Sequence, residues 1–298
     1  MLLSSSRNPI LLGGLALLAG EFSFAFLGVL VKYLATDLSQ AQLVFFRNIG
    51  ALVIVLPWLL RQGGAQFKPA RFRYHFLRSA VGIAGMYCYF YALGNLPLAQ
   101  AILLSQTAPI LIPLVAGIWL KEHTSPGISA AIVLGFAGVT IILQPWGQPL
   151  APAAFVGLLG AFFASFAKVT IRRMAGVEPS TLIVFYFTLI STLVSLVPLP
   201  FDWRPVPVRL WGYIALMGLT AAIGQFLMTR AFTLAPAGRI GSLSYAQIVY
   251  ASVLGWLLFG EHLDWHTALG ALLIAYAGLV AMGLARLPTF GMRQERSG

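Results

Sequence analysis

An all-α membrane protein of ten spanning helices, built as two inverted five-helix repeats, is predicted by three features of this sequence. First, the 298 residues include only 27 charged side chains, 19 Lys+Arg and 8 Asp+Glu. That is too little polar surface to solubilise a chain with a hydrophobic fraction of 59% and a mean hydropathy of +0.87. Second, apolar runs near the roughly 20 residues that cross a bilayer recur along the whole length. Third, the two halves echo each other at an offset of 139–140 residues.

The ten runs cover 10–34, 40–60, 73–93, 98–120, 126–143, 152–173, 179–197, 208–233, 238–259 and 265–285. The first is read as a retained helix, because no small-residue cleavage site follows it. Connections such as Asn95-Leu96-Pro97, Ser125-Pro126-Gly127 and Ala235-Pro236 are short and rich in Pro and Gly. Proline suits a helix start, where its missing N–H would have no partner anyway. Such short links force neighbouring helices to run antiparallel. No polar stretch is long enough to bury a separate core.

Orientation follows from Lys and Arg. With ten helices both termini share a side, and that side collects 14 of the 19 basic residues, Arg78 among them, against 3 on the other (Lys32, Arg204 and Arg209). Arg47 and Lys168 remain within spans. The positive-inside rule makes both termini cytoplasmic, in a multi-pass protein of a bacterial inner membrane. The basic residues mark helix ends and form no patch interleaved with aromatics, so nucleic acid is not an expected partner. The lone Cys88 excludes an internal disulfide.

The repeat keeps its order through both halves. Leu43-Val44-Phe45-Phe46 matches Ile183-Val184-Phe185-Tyr186, Pro97 matches Pro236, Glu122-His123 matches Glu261-His262, and Ala137-Gly138-Val139 matches Ala277-Gly278-Leu279. An odd number of helices per repeat inserts the second half upside down relative to the first. The expected units are 1–145 and 146–298, the latter with a short tail. Inverted repeats permit alternating access to a site near the midplane.

The run Phe90-Tyr91-Ala92-Leu93-Gly94-Asn95-Leu96-Pro97-Leu98-Ala99-Gln100-Ala101 resembles the third-to-fourth helix junction of the EamA branch of the drug/metabolite transporter superfamily. Pro109 and Glu122 fall where that family carries a Pro and a Glu in helix four, Gly135 and Gly138 match its small residues in helix five, and Gly260-Glu261 resembles its helix-nine ending. The resemblance spans 10–285. It implies a carrier of small metabolites, with amino-acid exporters, aromatic substrates included, as the nearest type. Sugar-nucleotide, nucleobase and S-adenosylmethionine carriers share the architecture. The chain departs from the family at Glu21, where an aromatic residue is frequent.

Charges inside a bilayer are costly and point to function by default. Glu21 lies about 16 Å into helix one at 1.5 Å per residue, close to the midplane. It is read either as a proton-coupling carboxylate or substrate-amine contact, or as a structural carboxylate held by a neighbouring helix. Arg47 lies about 10 Å deep from the opposite face. Pairing with Glu21 is the expectation there, and contact with a substrate carboxylate the alternative. Lys168 is expected to snorkel to the cytoplasmic surface. The repeat offset also pairs Ser105 with Ser244, Gln106 with Tyr245, and Met86 with Gln225, all inside spans. Ser105, Gln106, Gln225, Ser244, Tyr245 and Tyr87 are the candidate substrate-binding residues, each alternatively a polar link between helices. Pro109 and Pro113 would free helical carbonyls in helix four.

Glu122 and Glu261 are expected to bond free N–H groups at the start of the next helix. His262 and His266, four apart, lack a third ligand and are not read as a metal site. No cofactor is expected. An intramembrane lipid-modifying enzyme would need clustered His, Asp, Ser or Cys, and none is clustered here. Neither a phosphate-binding Gly-Lys motif nor a channel filter is present. The expectation is a secondary carrier and no enzyme. It exports amino acids, with exchange or import of nucleoside-type metabolites such as S-adenosylmethionine as the alternative. Its partners are a small-molecule substrate and membrane lipid, and a monomeric state is allowed.

Overall fold

The computed structural model describes residues 8–61, 68–95, 104–121, 126–143, 152–259, 265–281 and 285. The fold is all-α. Helices α1 (Pro9–Leu34), α2 (Gln40–Arg61), α3 (Phe72–Asn95), α4 (Ala108–Leu120) and α5 (Pro126–Leu143) form the first half. Helices α6 (Pro152–Met174), α7 (Ser180–Ser195), α8 (Trp211–Leu234), α9 (Ala246–Phe259) and α10 (Trp265–Ala281) form the second. Among the described residues six stretches are long and apolar enough to cross a membrane on their own composition: Pro9–Leu34, Gln40–Arg61, Pro152–Met174, Ser180–Phe201, Val208–Leu234 and Ala237–Leu258. Large apolar side chains stand fully outward, such as Ile118 at 86% and Leu272 at 69% exposure. Such a surface belongs in lipid and would aggregate in water.

Local chemistry sets the helix ends. Asn8 caps α1 by accepting from the Ile10 N–H at 3.0 Å, with Pro9 at the first helical position. Ser39 and Gln42 form a reciprocal capping box on α2, at 3.0 and 3.3 Å. Inside α7, Thr188 and Thr192 donate back to the carbonyls of Val184 and Thr188, at 3.0 and 2.7 Å. That satisfies hydroxyls where no water can.

The helix pairings come in symmetric sets. Exchanging the two halves turns the α1–α8 contact into the α6–α3 contact, α2–α8 into α7–α3, and α1–α9 into α6–α4. The α2–α7 and α5–α10 contacts map onto themselves. All of these contacts occur, as an inverted repeat requires. Two crossings show the same symmetry in atomic detail. A Cβ on Gly20 would lie 3.3 Å from the Gly224 carbonyl oxygen, and one on Gly85 would lie 3.2 Å from that of Gly160. Gly20 matches Gly160 at offset 140, and Gly85 matches Gly224 at 139. Small residues let these backbones close up where lipid gives helices no hydrophobic drive to associate.

Each end of the bundle is tied across the halves. At one end the Gln42 amide donates to the Arg204 carbonyl at 2.7 Å, joining the start of α2 to the α7–α8 connection. Nearby, Asp37 pairs with Arg209 at 3.2 Å, exposed and therefore weak. At the other end Glu178, in the α6–α7 turn, accepts from the Arg71 backbone N–H at 2.8 Å. His75 Nε2 stands 3.4 Å from the same carboxylate oxygen, without hydrogen-bond alignment.

Two spans are not continuous α-helices. The sequence predicts helix four over 98–120, but the regular helix begins at Ala108. Leu104 and Ser105 are helical, and a turn at 106–107 interrupts the span, closed by Thr107, whose N–H and hydroxyl both donate to the Leu104 carbonyl, at 3.2 and 2.7 Å. Pro109 lies in the first turn of α4, where a missing N–H costs nothing. Its counterpart in the other half is broken too. A one-turn helix, Ala237–Ile240, runs into a 3-10 segment, Gly241–Tyr245, before α9 starts. Pro97, Glu122, Glu261 and His262 lie outside the described residues.

Candidate functional site

The breaks before α4 and in front of α9 fall at matching places in the repeat, and the polar residues singled out from the sequence sit on them. Ser105 is half-buried in the helical stretch that ends at the break before α4, and Gln106 is buried in the turn itself; Ser244 and Tyr245 are buried in the 3-10 segment before α9. A bridge joins the two breaks, since the Gln106 amide donates to Gln247 Oε1 at 3.2 Å. Broken helices at mid-depth offer backbone and side-chain polar groups that a continuous helix would consume internally.

Beside this bridge lies a charged trio. Glu21 of α1 is 2% exposed. Its basic partner is Lys168 of α6, with Nζ 3.8 Å from the carboxylate, rather than Arg47. Lys168 also donates to Ser244 Oγ at 3.0 Å, and the Ser244 hydroxyl faces Glu21. Lys168 therefore points inward, contrary to the snorkelling expected from its distance to Arg172. The reason is helix adjacency. Depth arguments align Glu21 with Arg47 along the membrane normal, but α1 packs on α8 and α9 whereas α2 packs on α7 and α8. An apolar cleft of about 330 Å³ between α1, α9 and α10 borders the same region through Leu18, Leu243 and Tyr250.

Arg47 belongs to a second group, between α2, α3 and α7. Its Nη1 donates to Asn48 Oδ1 at 2.9 Å and touches Met86 Sδ at 3.8 Å. Its guanidinium carbon stands 6.0 Å from the centre of the Phe187 ring. Arg78 of α3 stacks on that ring at 3.7 Å. Arg78 was counted with the cytoplasmic helix ends by sequence, yet only 3% of it is exposed. The signal is present in the sequence, because Arg78 stands nearly as many residues past the start of α3, Phe72, as Arg47 stands past the start of α2, Gln40.

The remaining candidates are scattered around these groups. Gln225 of α8 is buried, and its amide nitrogen has no partner among the described residues. Tyr87 of α3 is half-buried with its hydroxyl likewise unmatched. Tyr245 is fully buried with its ring against Gly135, in a small apolar cluster with Ile248 and Ile274. Of the aromatic walls, Phe166 stacks on Trp119 at 4.4 Å and Phe162 lies against Phe166. No cluster of three metal-ligating side chains occurs among the described residues.

The sequence profile of the EamA-like transporter family matches residues 11–144 and again residues 151–283. The chain is 32% identical to the pseudopaline exporter CntI of Pseudomonas aeruginosa over 283 residues, covering 93% of this chain and 96% of that one. A riboflavin transporter of Vibrio cholerae is 27% identical, with 98% and 99% covered. An S-adenosylmethionine uptake transporter of Rickettsia bellii is 24% identical, with 84% and 86% covered. A solved crystal structure superposes with a TM-score of 0.77 over 92% of this chain and 97% of its own, at 21% identity, which speaks for the fold alone. This chain is a multi-pass membrane transporter of small metabolites and belongs to the EamA-like transporter family.

Proposed function

We propose that this transporter exports amino acids, aromatic and apolar ones included, by alternating access around a site between its halves, 1–145 and 146–298. It acts in a bacterial inner membrane with both termini cytoplasmic. The observation that carries the reading is the division of buried charge into two groups inside an otherwise apolar bundle. Glu21, with Lys168 and Ser244, forms one; Arg47 and Arg78 form the other. A zwitterion needs partners of both signs held apart, with apolar surface for its side chain. Ser105, Gln106, Gln225, Ser244, Tyr245 and Tyr87 supply the uncharged polar contacts. The broken segments before α4 and α9 supply a place where the halves exchange conformations. Glu21 is the coupling carboxylate in this reading.

The relatives favour different cargoes, and the riboflavin and S-adenosylmethionine transporters among them keep a nucleoside-type substrate as the second reading. Counterflow separates the two. Proteoliposomes of the purified protein receive labelled amino acids outside and a panel of unlabelled compounds inside. Acceleration of label entry by internal amino acids is the expected result. Exchange limited to riboflavin, adenosylmethionine or nucleosides would replace the amino-acid reading with the second.

A further inference from the structure

We propose that Arg47 and Arg78 together form a buried carboxylate-binding site between α2, α3 and α7, with Arg78 as its principal donor. This deepens the transport reading by naming the group of the substrate that is recognised there. The Arg78 guanidinium carbon lies over Phe187, 3.7 Å from the ring centre. A ring face stabilises the positive charge through its quadrupole. It accepts nothing from N–H bonds that lie in the guanidinium plane. Nε and Nη1 of Arg78 are buried and lack any hydrogen-bond partner among the described residues. The ring contact therefore holds the charge in place while Nε and Nη1 remain unsatisfied.

Charge adds to the argument. The contacts that Arg47 and Arg78 make among the described residues, with Asn48, Met86 and the Phe187 ring, include no carboxylate, whereas Lys168 has Glu21. Both guanidinium carbons approach the one Phe187 ring, which brings them within the sum of 6.0 and 3.7 Å of each other. Two buried cations repel, and an uncompensated charge in hydrocarbon is costly. The protein nevertheless makes room for them. Gly82, one turn beyond Arg78, leaves the space that Nη1 occupies, and a Cβ there would lie 2.4 Å from that nitrogen. Among the described residues Arg47 uses Nη1 on Asn48 and Met86. Planar two-oxygen anions match the guanidinium fork, and pairing two arginines with one carboxylate removes the repulsion as well as the unmet donors.

The test uses the protein in nanodiscs and two probes of nearly the same shape, the anion 3-phenylpropionate and the neutral 3-phenylpropanamide, in which an N–H donor group replaces one acceptor oxygen. Thermal unfolding is followed across a titration. The carboxylate should stabilise the wild type and the amide should not. Arg78→Gln should weaken carboxylate binding roughly 30-fold or more, the loss typical of truncating one member of a buried charged pair. Arg78→Lys should keep part of the response, and Arg47→Gln should weaken it less than Arg78→Gln. Size-exclusion profiles select the variants that fold, with Arg78→Lys as the conservative control. Equal stabilisation by the amide, or an undiminished carboxylate response in Arg78→Gln, would overturn the proposal. The amino-acid reading fails separately. If no amino acid exchanges in counterflow while the carboxylate response still depends on Arg78, the site stands and the cargo assignment falls. If amino acids exchange but their amides exchange equally well, the cargo class stands and the site falls.

Discussion

Lys168→Met is expected to lose most folded protein, and Glu21→Gln/Lys168→Met to regain it. Lys168 Nζ lies 3.8 Å from the Glu21 carboxylate, with the two side chains 14% and 3% exposed. Removing one member of such a pair strands a buried charge and costs about 3–5 kcal/mol, whereas replacing both is often close to neutral. Recovery of monodisperse protein on size exclusion, together with its unfolding midpoint, measures the stability part. Transport supplies the second part. The double variant should remain unable to use a pH gradient while still performing counterflow, because the carboxylate that would carry the proton is gone. Restored pH-driven transport in the folded double variant would remove Glu21 from coupling and leave it a structural partner of Lys168.

The second large effect is steric. Gly50 of α2 and Gly218 of α8 meet backbone to backbone, and a Cβ on either would stand 2.7 Å from the Cα of the other. No rotamer change relieves a clash with a backbone atom, so α2 and α8 must move apart, as must the packing around Phe46, Met217 and Ala221. Overpacking typically costs about 1–3 kcal/mol, and a backbone clash belongs at the upper end or beyond. Gly50→Val and Gly218→Val should each lower the unfolding midpoint in detergent sharply. Gly28→Ala is the matched control, since nothing lies within 4 Å of a Cβ there. It should be neutral or slightly stabilising through helix propensity. Equal behaviour of Gly50→Val and Gly28→Ala would contradict a backbone contact between α2 and α8 at Gly50 and Gly218.

Much of the fold was legible because membranes restrict the choices. Hydropathy and Pro-rich links mark the helices, and the offset of 139–140 marks the repeat. That offset predicts the contact between Gly85 and Gly160 once the one between Gly20 and Gly224 is known. The breaks before α4 and α9 were not read, although Ser105-Gln106 and Ser244-Tyr245 were singled out on the correct segments. Apolar composition carries the same hydropathy whether the backbone is α-helical or 3-10, so the pattern does not show a break.

The charges were read in depth and misread in plan. By sequence Glu21 and Arg47 lie at similar depths, but their helices share only α8 as a main neighbour, and Lys168 reaches Glu21 from α6. Arg78 was assigned to the membrane face because the rule for orientation counts Lys and Arg near helix ends. A residue two turns inside a helix satisfies that count and is still buried. His75 and Glu178 were missed for another reason. Neither carries a spacing signal, and their meeting depends on the α6–α7 turn folding against the start of α3.

The central claim is that the broken segments enclose a site open to each side of the membrane in turn. It is tested most directly by single-cysteine accessibility. With the one native thiol removed as Cys88→Ser, Ser105→Cys is labelled by a membrane-impermeant maleimide in right-side-out and in inverted vesicles. The account predicts labelling from both faces, slowed in both by an amino acid that supports counterflow. Labelling from one face only, at a rate indifferent to substrate, would contradict it.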